Sequence, residues 1–404
     1  MIKEIKITNF YSFKDTLASL HTDTNVLIGI NGAGKSNFLK AIKLLKEGVA
    51  GVGLKKHILE NLGGFDNIFF KGNIADNSTK NTSIIIEYTF DSKKITNKNY
   101  GFRFTDDVIY QITITKSPSL SNFYIQEKIT SNKGLIYLDF SNGKGVINVK
   151  TEIEVSNPNL IVFENLDSQE LILRGISDIS PFPALINIKK VIKDIVVYDY
   201  FDTTPKSPIR KPVLPTSEKR LFSDGTNLPQ ILNTIKINHK TEYRKIIEKL
   251  NDVNANFTGF DFNMIGGNIE LMLEEKGLES AIHVSNISDG TLRYLCLLAI
   301  LYNPERGNFI CIDEPEVGLH PDMLLNIANA IKDASENTTM IISTHSENLL
   351  NYFEIENLRV FEKDEDNATD IISYKKEQFS AWYEVFFLGK MWRDGDFGGL
   401  RYGS

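Results

Sequence analysis

With 404 residues, 42 % of them hydrophobic and 24 % charged, the chain has the make-up of a globular protein long enough for two lobes. A net charge of −7 excludes a generally basic nucleic-acid binder and leaves any DNA or RNA contact to a local patch. The apolar runs fall short of the ~18 residues that span a bilayer, Met1-Ile2-Lys3-Glu4 does not open a signal peptide, and Cys296 and Cys311 lack a C-x-x-C partner; the expectation is a cytoplasmic protein without membrane attachment, its two cysteines buried.

Apolar residues alternate from Ile2 to Leu17, which predicts two strands around a turn at 9–12. Val26, Leu27 and Ile28 make a short buried strand. The next eight residues, Gly29-Ile30-Asn31-Gly32-Ala33-Gly34-Lys35-Ser36, fit the P-loop pattern G-x-x-x-x-G-K-[ST]. Its glycines let successive N–H groups converge on phosphate oxygens. Asn31, Gly32, Ala33, Gly34, Lys35, Ser36 and Asn37 are therefore the candidate ATP ligands, with Lys35 on the β- and γ-phosphates and the Ser36 hydroxyl on Mg²⁺. Phe38, Leu39, Ala41, Ile42, Leu44 and Leu45 then keep a helical apolar face, so the loop opens a helix whose N-terminus favours anions.

Residues 48–81, rich in Gly and Asn, read as loop with short elements. Strands are predicted over 83–90, 110–115, 123–129 and 135–140, an antiparallel β section inserted after the first helix. Leu185, Ile188, Val191, Ile192 and Ile195 give a helix. Residues 203–220 hold four prolines and five basic side chains and read as an extended, exposed loop, either a solvated connector or a contact for nucleotide or nucleic acid. Helical periodicity returns over 226–255, and no heptad repeat supports a long coiled coil.

Ser288-Asp289-Gly290-Thr291 stands before an apolar helix, an anion-binding N-terminus. A second buried strand, Phe309-Ile310-Cys311-Ile312, ends in Asp313-Glu314. Asp313 is a candidate Mg²⁺ carboxylate and Glu314 a candidate base for the attacking water. A third, 339–343, delivers Thr344-His345, and His345 is placed to sense or stabilise a γ-phosphate. In the tail, Trp382, Tyr383, Phe386, Phe387, Leu388 and Trp392 have helical spacing, predicting a helix whose aromatics pack on the body.

In this order the motifs resemble an ABC-type ATPase. Pro315-Glu316-Val317-Gly318-Leu319-His320-Pro321 and the earlier 222–228 stretch are similar to the SMC-like AAA15/AAA21 group, which includes OLD-type ATPases and the ATPase subunits of retron, Septu and PARIS phage-defence systems. The resemblance implies an α/β fold: an ABC-type head with a mixed central sheet, an antiparallel β section and a helical lobe. It divides the chain into 1–165, 166–300 and 301–404, one ATPase unit overall. It also implies ATP and Mg²⁺ held between two subunits head to tail in a homodimer or higher oligomer. Lys35, Ser36, Asp313, Glu314 and His345 of one copy would face Ser288, Asp289 and Gly290 of the other.

The familiar Ser-Gly-Gly-Gln signature here reads Ser-Asp-Gly-Thr, and Asp289 beside a triphosphate is repulsive unless it faces away. The same four residues recur from Ser223 to Thr226, but the later copy precedes the apolar helix, as the resemblance requires. Asn67 and Gln126 are candidates for the Q-loop amide. The 59 residues after His345 are too few for a nuclease domain of roughly 100 residues. The expected activity is therefore ATP hydrolysis that regulates a separate effector protein, a nuclease or toxin in antiphage defence. The alternative is a DNA-binding repair or recombination ATPase of the SMC or recombination-mediator type. A transporter subunit fits less well, because it would carry Ser-Gly-Gly-Gln.

Overall fold

A computed structural model describes residues 1–72, 82–96, 102–117, 123–149, 159–177, 181–378 and 387–398. Strands β1 (Ile2–Phe10) and β2 (Phe13–Ser19) form the opening hairpin, and β3 (Thr24–Ile28) is buried along its whole length. Past the P-loop helix Lys35–Ala50 come β4 (Ser83–Phe90), β5 (Val108–Lys116), β6 (Phe123–Ser131), β7 (Ile136–Ser141), β8 (Lys144–Asn148) and β9 (Leu160–Phe163). The predicted antiparallel section and the opening hairpin are thus one eight-stranded sheet, ordered β2-β1-β4-β5-β6-β7-β8-β9.

The second sheet takes its strands from the whole length of the chain. With β10 (Ile195–Tyr198), β14 (Phe309–Asp313), β15 (Thr339–Ser343), β16 (Leu358–Lys363) and β17 (Thr369–Ser373), it is ordered β10-β14-β15-β3-β16-β17, and all its pairs are parallel except β16 with β17. Between β10 and β14 lie the helices Leu228–Asn238 and Lys240–Val253 and a small antiparallel sheet of β11 (Phe257–Ile265), β12 (Asn268–Glu275) and β13 (Ile282–His283).

Alternate residues of the central strands serve two cores, as the period of two demands. Leu27, Cys311 and Ile341 face the P-loop helix and the eight-stranded sheet. Val26, Ile28, Ile310, Ile312, Met340 and Ile342 face the helix Asp289–Leu301. That helix is buried on every side from Leu292 to Leu301, an apolar run in which Arg293 is the one charged residue, its guanidinium donating to main-chain carbonyls. Full burial of Phe38, Ile42 or Leu45 on the P-loop helix contributes about 1.5–3 kcal/mol each.

Three expectations need correction. The helix predicted through Ile195 ends at Lys193, because Ile195 begins β10, an edge strand paired parallel with β14. The loop 203–220 is not simply solvated: Thr203, Ser207, Ile209 and Arg210 are buried, and Arg210 reaches inward. In the tail, the helix runs Leu388–Asp394 with Leu388 and Met391 buried, whereas Phe387 is 70 % exposed. Trp382, Tyr383 and Phe386 lie outside the described residues. Both cysteines are buried and free.

One buried acid ties the two halves of the first core together. Glu127 on β6 accepts from the Tyr110 hydroxyl at 2.6 Å and from the backbone N–H groups of Ile172 at 2.5 Å and Leu173 at 3.3 Å. Burial pushes its carboxyl up to about 7, against the pull of those donors. The folded state then binds the proton more tightly than the unfolded chain, whose value is 4.5, so this stabilisation is complete below pH 4.5 and is lost as pH rises towards 7. Glu127→Gln removes that slope. In urea titrations the variant should gain on the parent by about 3 kcal/mol between roughly pH 4.5 and pH 8, and parallel stability curves would refute the assignment.

Candidate active site

The P-loop is braced from three neighbouring elements, β16, β17 and the opening hairpin turn. Gly29 has φ 147°, and a Cβ there would collide with the Phe361 carbonyl of β16, so only glycine passes this point. At Gly34, φ 116°, a Cβ would sit 2.6 Å from Thr369 Oγ1. Thr369 on β17 in turn lies 2.7 Å from the Ala33 carbonyl and 2.8 Å from Ser12 Oγ, and Asn37 Nδ2 donates to Ser12 Oγ at 3.1 Å. The hairpin turn and the antiparallel edge strand thus clamp the loop's shoulders. Asn31, Gly32 and Ser36 remain exposed at its rim.

Lys35 is only 6 % exposed. Its ammonium donates to the carbonyls of Gly29 at 2.9 Å and Ile30 at 3.3 Å, folding back over the loop. Burial pulls it down to about 8, against the attraction of Glu314, Asp313 and Glu316. A phosphate in the loop would give this cation a full anionic partner in place of two carbonyls.

The acids arrive through strand register. Across β14, β15 and β3, Asp313 is level with Ser343 and Ser343 with Leu27, so three carboxyl ends meet beside the P-loop. The Ser343 hydroxyl donates to Asp313 Oδ1, and the Thr344 N–H donates to the Leu27 carbonyl at 3.1 Å. Glu314 leaves the strand with φ 47°, unusual for a residue with a side chain, and its N–H is held by the Ser343 carbonyl at 3.2 Å and hydroxyl at 3.1 Å. This turn sets its carboxylate 3.5 Å from His345 Nε2.

The sequence reading missed what Glu316 does. Its Oε1 accepts from the Thr344 hydroxyl at 2.6 Å and from the His345 N–H at 2.8 Å, so it fixes the strand end that presents the histidine. Burial raises its pKa. The rest of the motif has local work as well. Gly318 (φ 75°) leaves space that the Arg293 guanidinium occupies, and His320 Nδ1 accepts from the Asp322 N–H at 3.4 Å to cap the helix Pro321–Ser335.

Ser288 caps the helix Asp289–Leu301, accepting from the Thr291 N–H at 3.1 Å. The anticipated repulsion at Asp289 is met by Arg210 from the proline-rich loop, 2.5 Å from its carboxylate. Arg210 also donates to the carbonyls of Thr203 at 2.9 Å, Val284 at 2.7 Å and Ile287 at 2.7 Å. Arg293, one helical turn on, donates to Val317 at 2.6 Å and Phe201 at 3.1 Å and lies 4.3 Å from the Tyr200 ring centre. Gly290 approaches the Gly318 carbonyl so closely that a Cβ would stand 3.0 Å from it. Five basic residues in a loop gave notice of a charged contact, but nothing in the sequence tied Arg210 to Asp289, 79 positions away.

Within one chain the structure brings together the P-loop, Asp313, Glu314 and His345. Among the described residues no hydrogen bond joins Ser288, Asp289 or Gly290 to them: the side-chain bonds of Ser288 and Asp289 run to Thr291 and Arg210, those of Lys35 to its own loop. The Q-loop candidates are also apart, Asn67 donating to the Leu62 carbonyl at 2.7 Å and Gln126 exposed on β6. Among the described residues no cluster of three His, Cys, Asp or Glu side chains is placed to hold a metal alone. An exposed serine hydroxyl and a single carboxylate beside a phosphate cradle are the donor set Mg²⁺ takes when phosphates complete its shell, so the residues fit the metal.

Removing the Arg210 side chain strands Asp289 and the carbonyls of Thr203, Val284, Ser285 and Ile287. Arg210→Ala should cost about 3–5 kcal/mol in urea unfolding, and a loss below about 1 kcal/mol would show that the strut is dispensable.

Residues 24–351 match the AAA_21 family, described as "AAA domain, putative AbiEii toxin, Type IV TA system". The chain is similar to an "ATP/GTP phosphatase" of Helicobacter pylori (strain ATCC 700392 / 26695), 25 % identical over 93 % of both proteins. It is also similar to the "Retron Ec83 probable ATPase" of Escherichia coli, 21 % identical over 88 % of this chain and 70 % of that protein. Among solved structures, an SmcHead bound to the C-winged helix domain of ScpA aligns at TM-score 0.56 and 14 % identity, over 93 % of this chain and 99 % of the other. The Pyrococcus furiosus Smc head domain with an extended coiled coil, bound to the C-terminal domain of ScpA, aligns at 0.54 and 12 %, over 93 % and 97 %. These two likenesses concern the fold alone, an SMC-type α/β head. Among the described residues, no helix is long and apolar enough to cross a membrane.

Proposed function

The chain belongs to the AAA_21 family and is an SMC-like ATPase; from that premise we propose that it closes head to tail on ATP as a homodimer and thereby regulates a separate effector in antiphage defence. What supports the dimer is that no hydrogen bond joins the Ser288 segment to the P-loop of its own chain. Ser288, Asp289 and Gly290 form a rigid, capped helix start that Arg210 and Arg293 lock in place, yet their bonds do not reach the P-loop of the same chain. A second copy is the natural source of the missing half. The relation to a retron ATPase supports the defence setting, with a nuclease or toxin as effector. Residues 1–165, 166–300 and 301–404 act as one unit, since the central sheet draws strands from all three.

The roles follow from chemistry. Backbone N–H groups of residues 31–37 and the Lys35 ammonium hold the phosphates. Ser36 and Asp313 would hold Mg²⁺, which when bound withdraws charge from the phosphate oxygens. Glu314 takes a proton from water, whose oxygen attacks the γ-phosphorus while the bond to the β–γ bridging oxygen breaks, leaving ADP and phosphate. His345, steadied through Glu316, orients the Glu314 carboxylate and faces the developing charge. Ser288 of the second copy adds donors on the far side of the γ-phosphate, and the Arg210 pair keeps Asp289 from repelling it.

Two substitutions test the assignment. Glu314→Gln should lower turnover at least about 100-fold while ATP stays bound and the dimer accumulates in gel filtration; unchanged turnover would remove Glu314 from the chemistry. Lys35→Ala should weaken ATP at least about tenfold by calorimetry, and equal affinity in variant and parent would refute the P-loop reading.

A further inference from the structure

A cleft of about 1050 Å³ opens along the β10 edge of the central sheet, well away from the phosphate cradle. One wall is the later part of the P-loop helix, where Lys43 and Lys46 stand eight and eleven residues beyond Lys35, about 12 and 16 Å along the axis. The helix Pro183–Lys193 and the segment 217–223 complete it. That segment ends on Ser223, the first residue of the duplicate Ser-Asp-Gly-Thr that the ATPase reading leaves without a role.

Seven cationic side chains line the cleft against four acidic ones, in a chain whose net charge is −7; Lys43 is paired with Asp199, Lys219 with Glu305 and Arg220 with Asp194. Six of the seven come in pairs: Lys43 with Lys46, Lys190 with Lys193, and Lys219 with Arg220. Among the described residues neither Lys94 nor Lys193 has an acidic partner within 4 Å. Burial first, and then the nearby Arg220, pull Lys46 down to about 8, against the attraction of Glu47 and Asp194. The floor supplies an independent observation. Asn187 is 1 % exposed, and both its amide nitrogen and its amide oxygen lack a hydrogen-bond partner. Leaving such an amide unmet costs about 1–3 kcal/mol per group, so its presence in a concave basic cleft points to an occupant.

We propose that this cleft is a second ligand site, taking a small phosphorylated ligand that carries a nucleobase. The lysines meet the phosphates, and the donor and acceptor of Asn187 match the edge of a base as an asparagine amide does with adenine. Val191, Val196 and Leu221 give the base an apolar wall. A concave site of this volume suits a nucleotide, whereas a strand backbone would need an open groove. Because Lys43 and Lys46 sit on the P-loop helix, occupancy there bears on the same element that ends in the phosphate cradle.

Calorimetric titration of the full chain with ADP and with pyrophosphate tests this independently of the P-loop assignment. ADP should fill two classes of site in the parent and one in Lys35→Ala. The remaining class should weaken at least about tenfold in Lys35→Ala carrying Lys94→Glu and Lys193→Glu, both exposed positions. Failure of Lys35→Ala to remove a class would count against the P-loop reading, while a class removed by the lysine reversals would still support the cleft. No remaining class in Lys35→Ala, or one indifferent to the reversals, overturns the cleft proposal. Asn187→Leu should raise the Tm of the free chain and weaken ADP more than pyrophosphate; equal effects on both ligands would overturn the nucleobase contact. A DNA strand of about 20 nucleotides that displaces ADP from Lys35→Ala would assign the cleft to a nucleic-acid backbone instead.

Discussion

Three parallel strands in register, β14, β15 and β3, are the constraint on which the rest of the molecule depends. Asp313, Ser343 and Leu27 stand level across them, so the Asp313 carboxylate, the strand that leads to His345 and the entrance to the P-loop share one edge of the sheet. A slip of one residue in any strand would turn its buried side chains to the opposite face. Both faces are already occupied by packed cores, one against the P-loop helix and one against the signature helix, and those cores therefore fix the register. Apolar packing on two sides is what allows polar groups to be placed to within an ångström at the strand ends.

Those polar groups are a problem that the fold solves by proximity. Lys35 is buried enough to lose part of its basicity, and Asp313, Glu314 and Glu316 offset that loss from the neighbouring strand ends. The acids are restrained in turn: Asp313 by the Ser343 hydroxyl, Glu314 by a backbone turned left-handed, Glu316 by Thr344 and the His345 amide. A buried charge left alone would cost several kcal/mol, and the buried Glu316 carboxylate is accordingly met by the Thr344 hydroxyl and the His345 N–H.

Much of this was legible in the sequence where chemistry and periodicity coincide. The P-loop, the strand carrying Asp313 and the strand 339–343 could be read because an apolar run ends at once in a functional residue. β10 was hidden for a physical reason. Its four residues follow the helix Pro183–Lys193 directly, and Ile195 sits where the helical period would also place an apolar side chain. The three-stranded sheet β11–β13 went unread as well, since its alternation covers one face only and the hairpin carries Met264 and Ile265 exposed. Long-range partners such as Arg210 with Asp289, or Thr369 with Ala33, leave no trace in spacing, because only the tertiary fold brings them together.

The two arginines give the site its mechanical continuity. Arg293 grows from the signature helix yet donates to Val317, three residues past Glu314, and to Phe201, just beyond β10. Gly290 lets the two backbones approach, since a Cβ there would crowd the Gly318 carbonyl, and Gly318 leaves the space that the Arg293 guanidinium fills. A shift at the end of β14 therefore cannot be absorbed locally: close-packed groups without free volume transmit it. The helix that begins at Ser288 must move with the segment that follows Glu314. In the head-to-tail pair proposed above, that would couple the chemistry at one P-loop to the surface offered to the next, through hydrogen bonds to main-chain carbonyls, which leave little room for slack.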